Sequence, residues 1–492
     1  MPNYYIPWHM AREPFPHHRL TGSIEGMTFI PPARARSRPP RSRLLRFLRT
    51  GLALARLFAG YKWIGLLQNV RGDPWAEGAR KRHHRRSAER LYTVAVRQQG
   101  LLIKTLQFLS SRPDIVPDEY IAVFSHLQDE VPPEPFEVIR KVVDHEMGQP
   151  IEMVFREFEP TPVASASLAQ VHRAVLQDGR VVAVKVQYPG IERLVQDDLK
   201  NNALFIAILN RLDKTLDLSF ISEEMSRMIP RELDFINEGH NAEKIAANFA
   251  GVDDIVIPEI YWEHSTKCVL VMQFVEGIKI TDREGMERAG IDPAEVAKIL
   301  IVAFSEMLVK DGLFHADPHP GNLMVAPGPK LIMVDFGQVK EVGAPFRFIF
   351  GQMTRALLSE DDTELGRTFR ALGFRMKDDN DTGYEDLGRA YVGDIARQMR
   401  AEERGWADPD MFQVSYREML RILRANPLIK IPADLLFVGR VMGLLNGLSM
   451  TLRSKTNLLV EMSKLLDQQD AVMKRNGDGA SVEPHHRRLL EA

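Results

Sequence analysis

Between His315 and Gly337 the chain reads HADPHPGN, LMVAPGPKLIMV and DFG, and no other stretch restricts its fold so tightly. Asp317 is followed five residues on by Asn322, and thirteen residues after that by Asp335. The apolar runs on either side of Pro327-Gly328-Pro329 predict strand, turn and strand, a hairpin that delivers Asn322 and Asp335 to one place. The residue types suit phosphate chemistry. An Asp can orient and deprotonate a hydroxyl, while an Asn and a second Asp offer hard oxygens to a Mg²⁺ ion bridging phosphates. Any one of these pieces would suit a Pro-rich loop beside an edge strand. In this order and spacing they match H-x-D-x-x-x-x-N followed by a metal-binding D-F-G.

Composition sets the outer bounds. A chain of 492 residues has room for roughly two to four domains and an ample core. Hydrophobic residues at 45% and charged residues at 26% are those of a soluble globular protein. The single Cys268 excludes an internal disulfide framework and points to a reducing, cytoplasmic compartment; in the run CVLVMQF it reads as core. The net charge of −2 hides an asymmetry. Up to Gly100 there are 19 Lys/Arg against 5 Asp/Glu, a balance of +14, and the remainder carries −16.

That basic head has two parts. Residues 1–40 are rich in Pro, His and Arg without periodicity, the pattern of a disordered tail. Residues 41–90 interleave Leu44, Leu45, Phe47, Leu48, Leu52, Leu54, Leu57 and Phe58 with Arg43, Arg46, Arg49 and Arg56, and a second basic cluster runs from Arg80 to Arg86. A basic amphipathic helix of this kind can lie in an anionic membrane surface, with Tyr61 and Trp63 at the headgroups. It can equally pack on the body with its basic face solvated. No folded nucleic-acid motif accompanies the charge, so no nucleic-acid partner is expected. Neither a secretory signal nor a clean membrane span is evident; Leu435 to Leu452, interrupted by Arg440 and Asn446, reads as a buried helix.

The middle of the chain supplies further pieces. Lys104 and Gln107 share a helix face. The small-residue run Ala164-Ser165-Ala166-Ser167 precedes a hairpin whose Asp178-Gly179 pair predicts a tight primed turn. Such a loop lets backbone N–H groups approach phosphates. Lys185 ends Val-Ala-Val-Lys, close to the kinase strand whose lysine pairs the α/β-phosphates, and Glu238 is the helical glutamate expected to fix it. Glu232, Asp234 and Glu238 lie within seven residues, a spacing that would ordinarily mark a solvated helix face. Met272 to Gly277 reads as a hinge where backbone groups of Gln273 and Val275 can bind an adenine. No A-P-E follows Gly337, and residues 344–475 read as helices with few strands.

Taken together, these residues resemble the UbiB/AarF family of atypical protein-kinase-like proteins, from about Leu91 to Leu452. The family's K-x-G-Q falls on Lys104-Thr105-Leu106-Gln107, with Leu106 in place of the glycine. Its Ala-rich loop falls on Ala164 to Ser167, its E-x-D on Glu232 and Asp234, and its H-x-D-P-H-P-G-N on His315 to Asn322 without substitution. The resemblance implies an α+β, protein-kinase-like two-lobed fold with an N-terminal helical extension and a helix-rich C-terminal lobe. The expected boundaries are 91–150 for the extension, 151–277 for the N-lobe, 278–475 for the C-lobe and 476–492 for a tail. It implies binding of ATP (or ADP) through Ala164, Ser165, Ala166, Ser167, Lys185, Gln273 and Val275, with Mg²⁺ on Asn322 and Asp335. Lys185, Glu238, Asp317, Asn322 and Asp335 would form the catalytic set. Lys104, Gln107, Glu232 and Asp234 would be regulatory, the K-x-G-Q helices folding over the site. The implied function is an ATPase or phosphotransferase supporting isoprenoid-quinone (ubiquinone) or lipid metabolism, cytoplasmic or peripheral at a membrane. A true protein or small-molecule kinase, and a pseudokinase scaffold that only binds nucleotide, are the alternatives.

Overall fold

The computed structural model describes residues 42–98, 100–110, 116–128, 133–212, 219–388, 426, 428–430 and 432–475; the tails expected over 1–40 and 476–492 lie outside them. Four helices come first, α1 (Arg43–Arg71), α2 (Asp73–Gln98), α3 (Leu101–Ser110) and α4 (Asp118–Phe124), then α5 (Phe136–Met147) and the single turn α6 (Ile151–Val154). Strands β1 (Phe155–Phe158), β2 (Ala164–Ser165), β3 (Ala169–Leu176) and β4 (Val181–Gln187) lead into α7 (Ile191–Leu212), α8 (Ser219–Glu232) and α9 (Phe235–Asn248). After β5 (Ile255–Val256), β6 (Val269–Gln273) and β7 (Ile278–Lys279) come α10 (Arg283–Arg288), α11 (Pro293–Glu306) and β8 (Leu313–His315). The rest is β9 (Leu323–Ala326), β10 (Lys330–Met333), β11 (Val339–Glu341), α12 (Ala344–Ser359), α13 (Asp362–Leu372), β12 (Arg375–Met376), α14 (Asp381–Gly388), β13 (Leu428–Lys430), α15 (Ala433–Thr451) and α16 (Leu458–Arg475).

The chain divides into two units, residues 1–239 with 259–274 and residues 240–258 with 275–492. In the first, an antiparallel sheet runs β1-β3-β4-β6, with β2 on β3. Val182, Val184 and Val186 of β4 are fully buried in the core shared with α5, α7 and α8. Strand alternation then turns Lys185 to the opposite face. The β3–β4 connection differs from the primed turn expected of Asp178-Gly179. Val175 pairs with Val181, and the Gly179 N–H donates to the Leu176 carbonyl at φ 92°. This is a three-residue loop whose last residue takes the left-handed conformation, so only the glycine half of the pair is needed there.

A second core, around Ala53, Ala88, Leu91, Ile103, Leu106 and Phe124, holds α1 to α4 together. It explains the leucine in K-x-L-Q. Leu106 is buried among these helices, where a glycine would forfeit about 1.5–3 kcal/mol of apolar burial. The faces of α1 also differ from the single apolar stripe expected. Phe47 stacks on Phe205 of α7 with ring centroids 4.7 Å apart, and Arg46 is buried in a bidentate pair with Asp198. Leu44, Leu45, Leu48, Leu52 and Trp63 face outward instead. Tyr61, expected at the headgroups, lies half-buried, edge-on to His83 at 5.0 Å.

In the second unit β9 and β10 form the hairpin expected around Pro327 to Pro329, with Gly328 at φ 99°. β5 adds parallel to β10 and β7 antiparallel to β9. α11 runs into a π-helical turn, Met307–Asp311, closed by Gly312 at φ 69°. A Cβ at Gly312 would lie 2.8 Å from the Val342 carbonyl, so the close approach needs glycine. β8 follows at once and delivers His315. Of the stretch expected as a buried helix, Leu435 to Thr451 is helical and buried on one face, with Val438, Val441 and Leu445 fully inside and Gly439 and Gly443 exposed. Among the described residues no helix is long and apolar enough to cross a membrane.

Candidate functional site

In the first unit β4 and α9 bring Lys185 and Glu238 together. The Lys185 ammonium donates to both carboxylate oxygens of Glu238, at 2.6 and 2.8 Å, and the side chains are 11% and 3% exposed. Glu238 is therefore anything but a solvated helix face. Asp234 sits at the start of the same helix and accepts the N–H groups of Ile236 and Asn237 on Oδ1, at 3.1 and 3.3 Å. It is an N-cap, and it fixes the turn from which Glu238 projects. Glu232, at the end of α8, pairs with Lys104 of α3 at 2.9 Å. The remaining member of the lysine motif, Gln107, faces elsewhere, donating to the Leu127 carbonyl at 3.0 Å.

The small-residue loop is a folded turn. Ala164 and Ser165 pair with Val171 and Gln170, and the Ala166 N–H donates to the Ala169 carbonyl at 2.8 Å. The Ser165 hydroxyl meets the Tyr188 hydroxyl at 2.8 Å, and Ser167 is buried. The Ala166 amide, expected to face phosphate, is thus committed within the loop. Gln273 ends β6 with its N–H on the Glu259 carbonyl, and the division between the units falls just beyond it, between Phe274 and Val275.

In the second unit the loop from His315 to Asn322 is held by its own side chains. The His315 ring is fully buried beside Phe336, its centroid 5.4 Å away. Burial holds this imidazole below its ordinary range, hence neutral, and Nδ1 accepts the Asp317 N–H at 3.1 Å. Asn322 donates its Nδ2 to the Asp317 carbonyl at 3.1 Å, which turns its Oδ1 the other way. The Val334 N–H, one residue before Asp335, donates to the Asn322 carbonyl at 2.9 Å, and so ties the D-F-G segment to the loop. Asp335 itself is at φ 63°, a left-handed conformation unusual outside glycine, with Oδ1 accepting the Gly337 N–H at 3.3 Å. Behind Gly337, β11 pairs with β8, placing Val339 opposite His315.

These residues fit a Mg²⁺–nucleotide. Asn322 and Asp335 are oxygen donors of the hard kind Mg²⁺ takes. Among the described residues no cluster of three His, Cys, Asp or Glu side chains is set to hold a metal alone. A metal completed by substrate phosphates suits so sparse a donor set.

One contact at the loop is absent from any reading of the motifs. Arg440 of α15 donates to Asp317 Oδ1 at 2.7 Å and to Gln338 Oε1 at 3.3 Å. The available sequence signal was a charge within an apolar helix, since a buried charge requires a partner.

The kinase-like loop agrees with the comparisons. Residues 126–368 match the ABC1 atypical kinase-like domain. Over that stretch, just under half of its length, the chain carries a kinase-like domain of this type, in line with its resemblance to the UbiB/AarF proteins. AarF domain-containing protein kinase 1 of Xenopus laevis is 38% identical over 302 residues, covering 60% of this chain and 58% of the relative. The Gallus gallus protein of the same name is 35% identical, with 64% and 62% covered. The chain thus spans 58 and 62% of the length of these two curated relatives. The solved structure of the Rv3197–erythromycin complex from Mycobacterium tuberculosis is 25% identical with a TM-score of 0.56, over 76% of this chain and 94% of that one. A kinase-like α+β fold is what sequence and structure share.

Proposed function

We propose that the chain binds ATP with Mg²⁺ and turns it over as an ATPase or phosphotransferase. The observation that carries this reading is the buried Lys185–Glu238 pair, because a kinase-like strand lysine so held is pre-set against phosphate. Lys185 would bind the α/β-phosphates, and Asn322 and Asp335 would hold the metal. The metal, when bound, neutralises charge developing on the phosphates. Asp317 would orient the attacking hydroxyl or water and take its proton. The family resemblance extends this reading to isoprenoid-quinone or lipid metabolism. Steady-state ATP turnover by the full chain, with and without lipid and protein acceptors, separates the possibilities. Mg²⁺-dependent turnover without acceptor is expected. Turnover only with a protein acceptor makes the chain a true kinase, and none under any condition makes it a nucleotide-binding scaffold.

The partner reading includes an anionic lipid surface at α1. This helix has no acidic residue over Arg43–Arg71, and it exposes Leu48, Leu52, Trp63, Leu66 and Val70 outward, the last two at 67 and 81%. Arg49, Arg56 and Lys62 are exposed on the same helix. Neighbouring α7, joined to α1 through Phe205 and Phe47, exposes Leu204, Ile208 and Leu212 at one-per-turn spacing. Each basic group near an anionic surface adds roughly 1 kcal/mol, enough with partial apolar burial for reversible attachment. Deleting residues 1–90 is a poor test, since it strips Arg46 from the buried Asp198. Leu48→Glu with Leu52→Glu and Leu66→Glu keeps that pair. Co-sedimentation with anionic liposomes is expected for the native chain, weakening with salt, and loss of it for the triple variant. Equal binding of both, or binding indifferent to lipid charge, removes the lipid partner.

A further inference from the structure

The loop from His315 to Asn322 contains no lysine or arginine, so any cation beside Asp317 must come from elsewhere in the chain. It comes from α15, a helix whose only charged residues are Asp434 and Arg440. Both are spent on the segment around the catalytic loop. Asp434 pairs with Lys340 of β11 at 2.9 Å, and the Lys340 ammonium also lies 5.2 Å from the centre of the Phe437 ring. Six residues along, Arg440 forks between Asp317 Oδ1 and Gln338 Oε1. The Gln338 backbone is itself fixed, because its carbonyl accepts the Ala316 N–H at 2.8 Å. The guanidinium therefore bridges two residues whose backbones are held, one on each side of the β8–β11 ladder. Its side chain is 18% exposed and that of Asp317 23%, so water competes only weakly with the contact.

A carboxylate at the end of a single rotatable bond pair is poorly directed by its backbone alone. The bonds made by Asp317's backbone to His315, His319 and Asn322 set where its Cα lies, and leave the carboxylate plane to be set by something else. A guanidinium donating to Oδ1 from a rigid helix does that, and leaves Oδ2 to an acceptor hydroxyl or water. The planar fork is better suited to this than an ammonium, which offers a point charge without direction.

We propose that Arg440 is a positioning residue for Asp317: the C-terminal helix α15, rather than the loop, sets the orientation of the carboxylate that receives the acceptor's proton. The inference rests on the reading of Asp317 given above. It makes the efficiency of the proton-accepting group depend on the docking of a helix far along the chain, with nucleotide binding left out of the dependence.

The test compares the native chain with Arg440→Ala, Arg440→Lys and Asp317→Asn in steady-state ATP turnover, nucleotide titration and thermal unfolding. Misdirecting a reacting group by about 1 Å costs on the order of 100-fold, so Arg440→Ala should lose roughly that in kcat, with nucleotide affinity unchanged. Guanidinium chloride at low, non-denaturing concentration should restore part of the loss to Arg440→Ala and none to Asp317→Asn. Arg440→Lys should fall between, because it keeps the charge and loses the fork. Unchanged or raised kcat in Arg440→Ala, while Asp317→Asn is inactive, overturns the inference and leaves the function standing. A loss that tracks the unfolded fraction and ignores guanidinium reduces Arg440 to a packing role and also overturns it. Turnover that survives Asp317→Asn, or a native chain without turnover, fails the reading of Asp317 itself and takes this inference with it.

Discussion

Replacing Asp335 with Asn is expected to remove nearly all Mg²⁺-dependent ATP turnover while leaving the thermal unfolding midpoint nearly unchanged. The choice of substitution follows from the backbone. Asp335 stands at φ 63°, where most side chains crowd the following carbonyl; Asn tolerates this region about as well as Asp. Its amide oxygen can go on accepting the Gly337 N–H that Asp335 Oδ1 now accepts. Asp335→Asn thus removes one negative charge and little else. Asp335→Ala would add about 1–2 kcal/mol of backbone strain and confuse a metal effect with a folding one. Losing a fixed electrostatic partner of the developing charge costs on the order of 100- to 1,000-fold in kcat. Turnover measured across a Mg²⁺ titration checks it. A folded Asp335→Asn chain with native turnover would remove Asp335 from the metal site.

How far the sequence led depended on how local each device is. The loop from His315 to Asn322 is legible because its side chains bond their own neighbours, two and five residues away, so composition and spacing carry the geometry. Lys185 is legible for a related reason: alternation along β4 fixes its face, whatever lies on the other side. Arg440 was visible only as an interruption of an apolar helix. Its partner lies 123 residues earlier, and no periodicity reports a contact of that span. Helix α1 misled for the opposite reason. Its leucines and phenylalanines recur often enough to serve two faces, and the pattern does not say that Phe47 is claimed by Phe205 while Leu48 is left outside. Leu106 is similar. As a departure from a motif it says nothing of its surroundings, whereas the helices around it make it core.

In the proposed nucleotide site the two lysines have separate roles, and substituting them should give opposite results. Lys185 is locked on Glu238 inside the first unit, whereas Lys104 is a quarter exposed and spent on Glu232. Lys185→Ala should lose ATP binding, but it also strands a carboxylate that is 3% exposed, and breaking a buried pair from one side costs about 3–5 kcal/mol. A lost signal could then mean a lost fold. The double variant Lys185→Met with Glu238→Gln removes both charges and keeps most of the volume, so it should recover much of that stability. It should recover none of the nucleotide affinity, because the proposed phosphate ligand is still gone. Lys104→Ala should leave nucleotide affinity in place and change only how turnover responds to lipid or acceptor, since its partner Glu232 lies at the end of α8 and the N-cap Asp234 still holds the helix of Glu238. Titration with a fluorescent nucleotide, run beside thermal unfolding for all three chains, decides between them. Retained affinity in the Lys185 double variant, with loss in Lys104→Ala, would transfer the phosphate role from the strand to the helix.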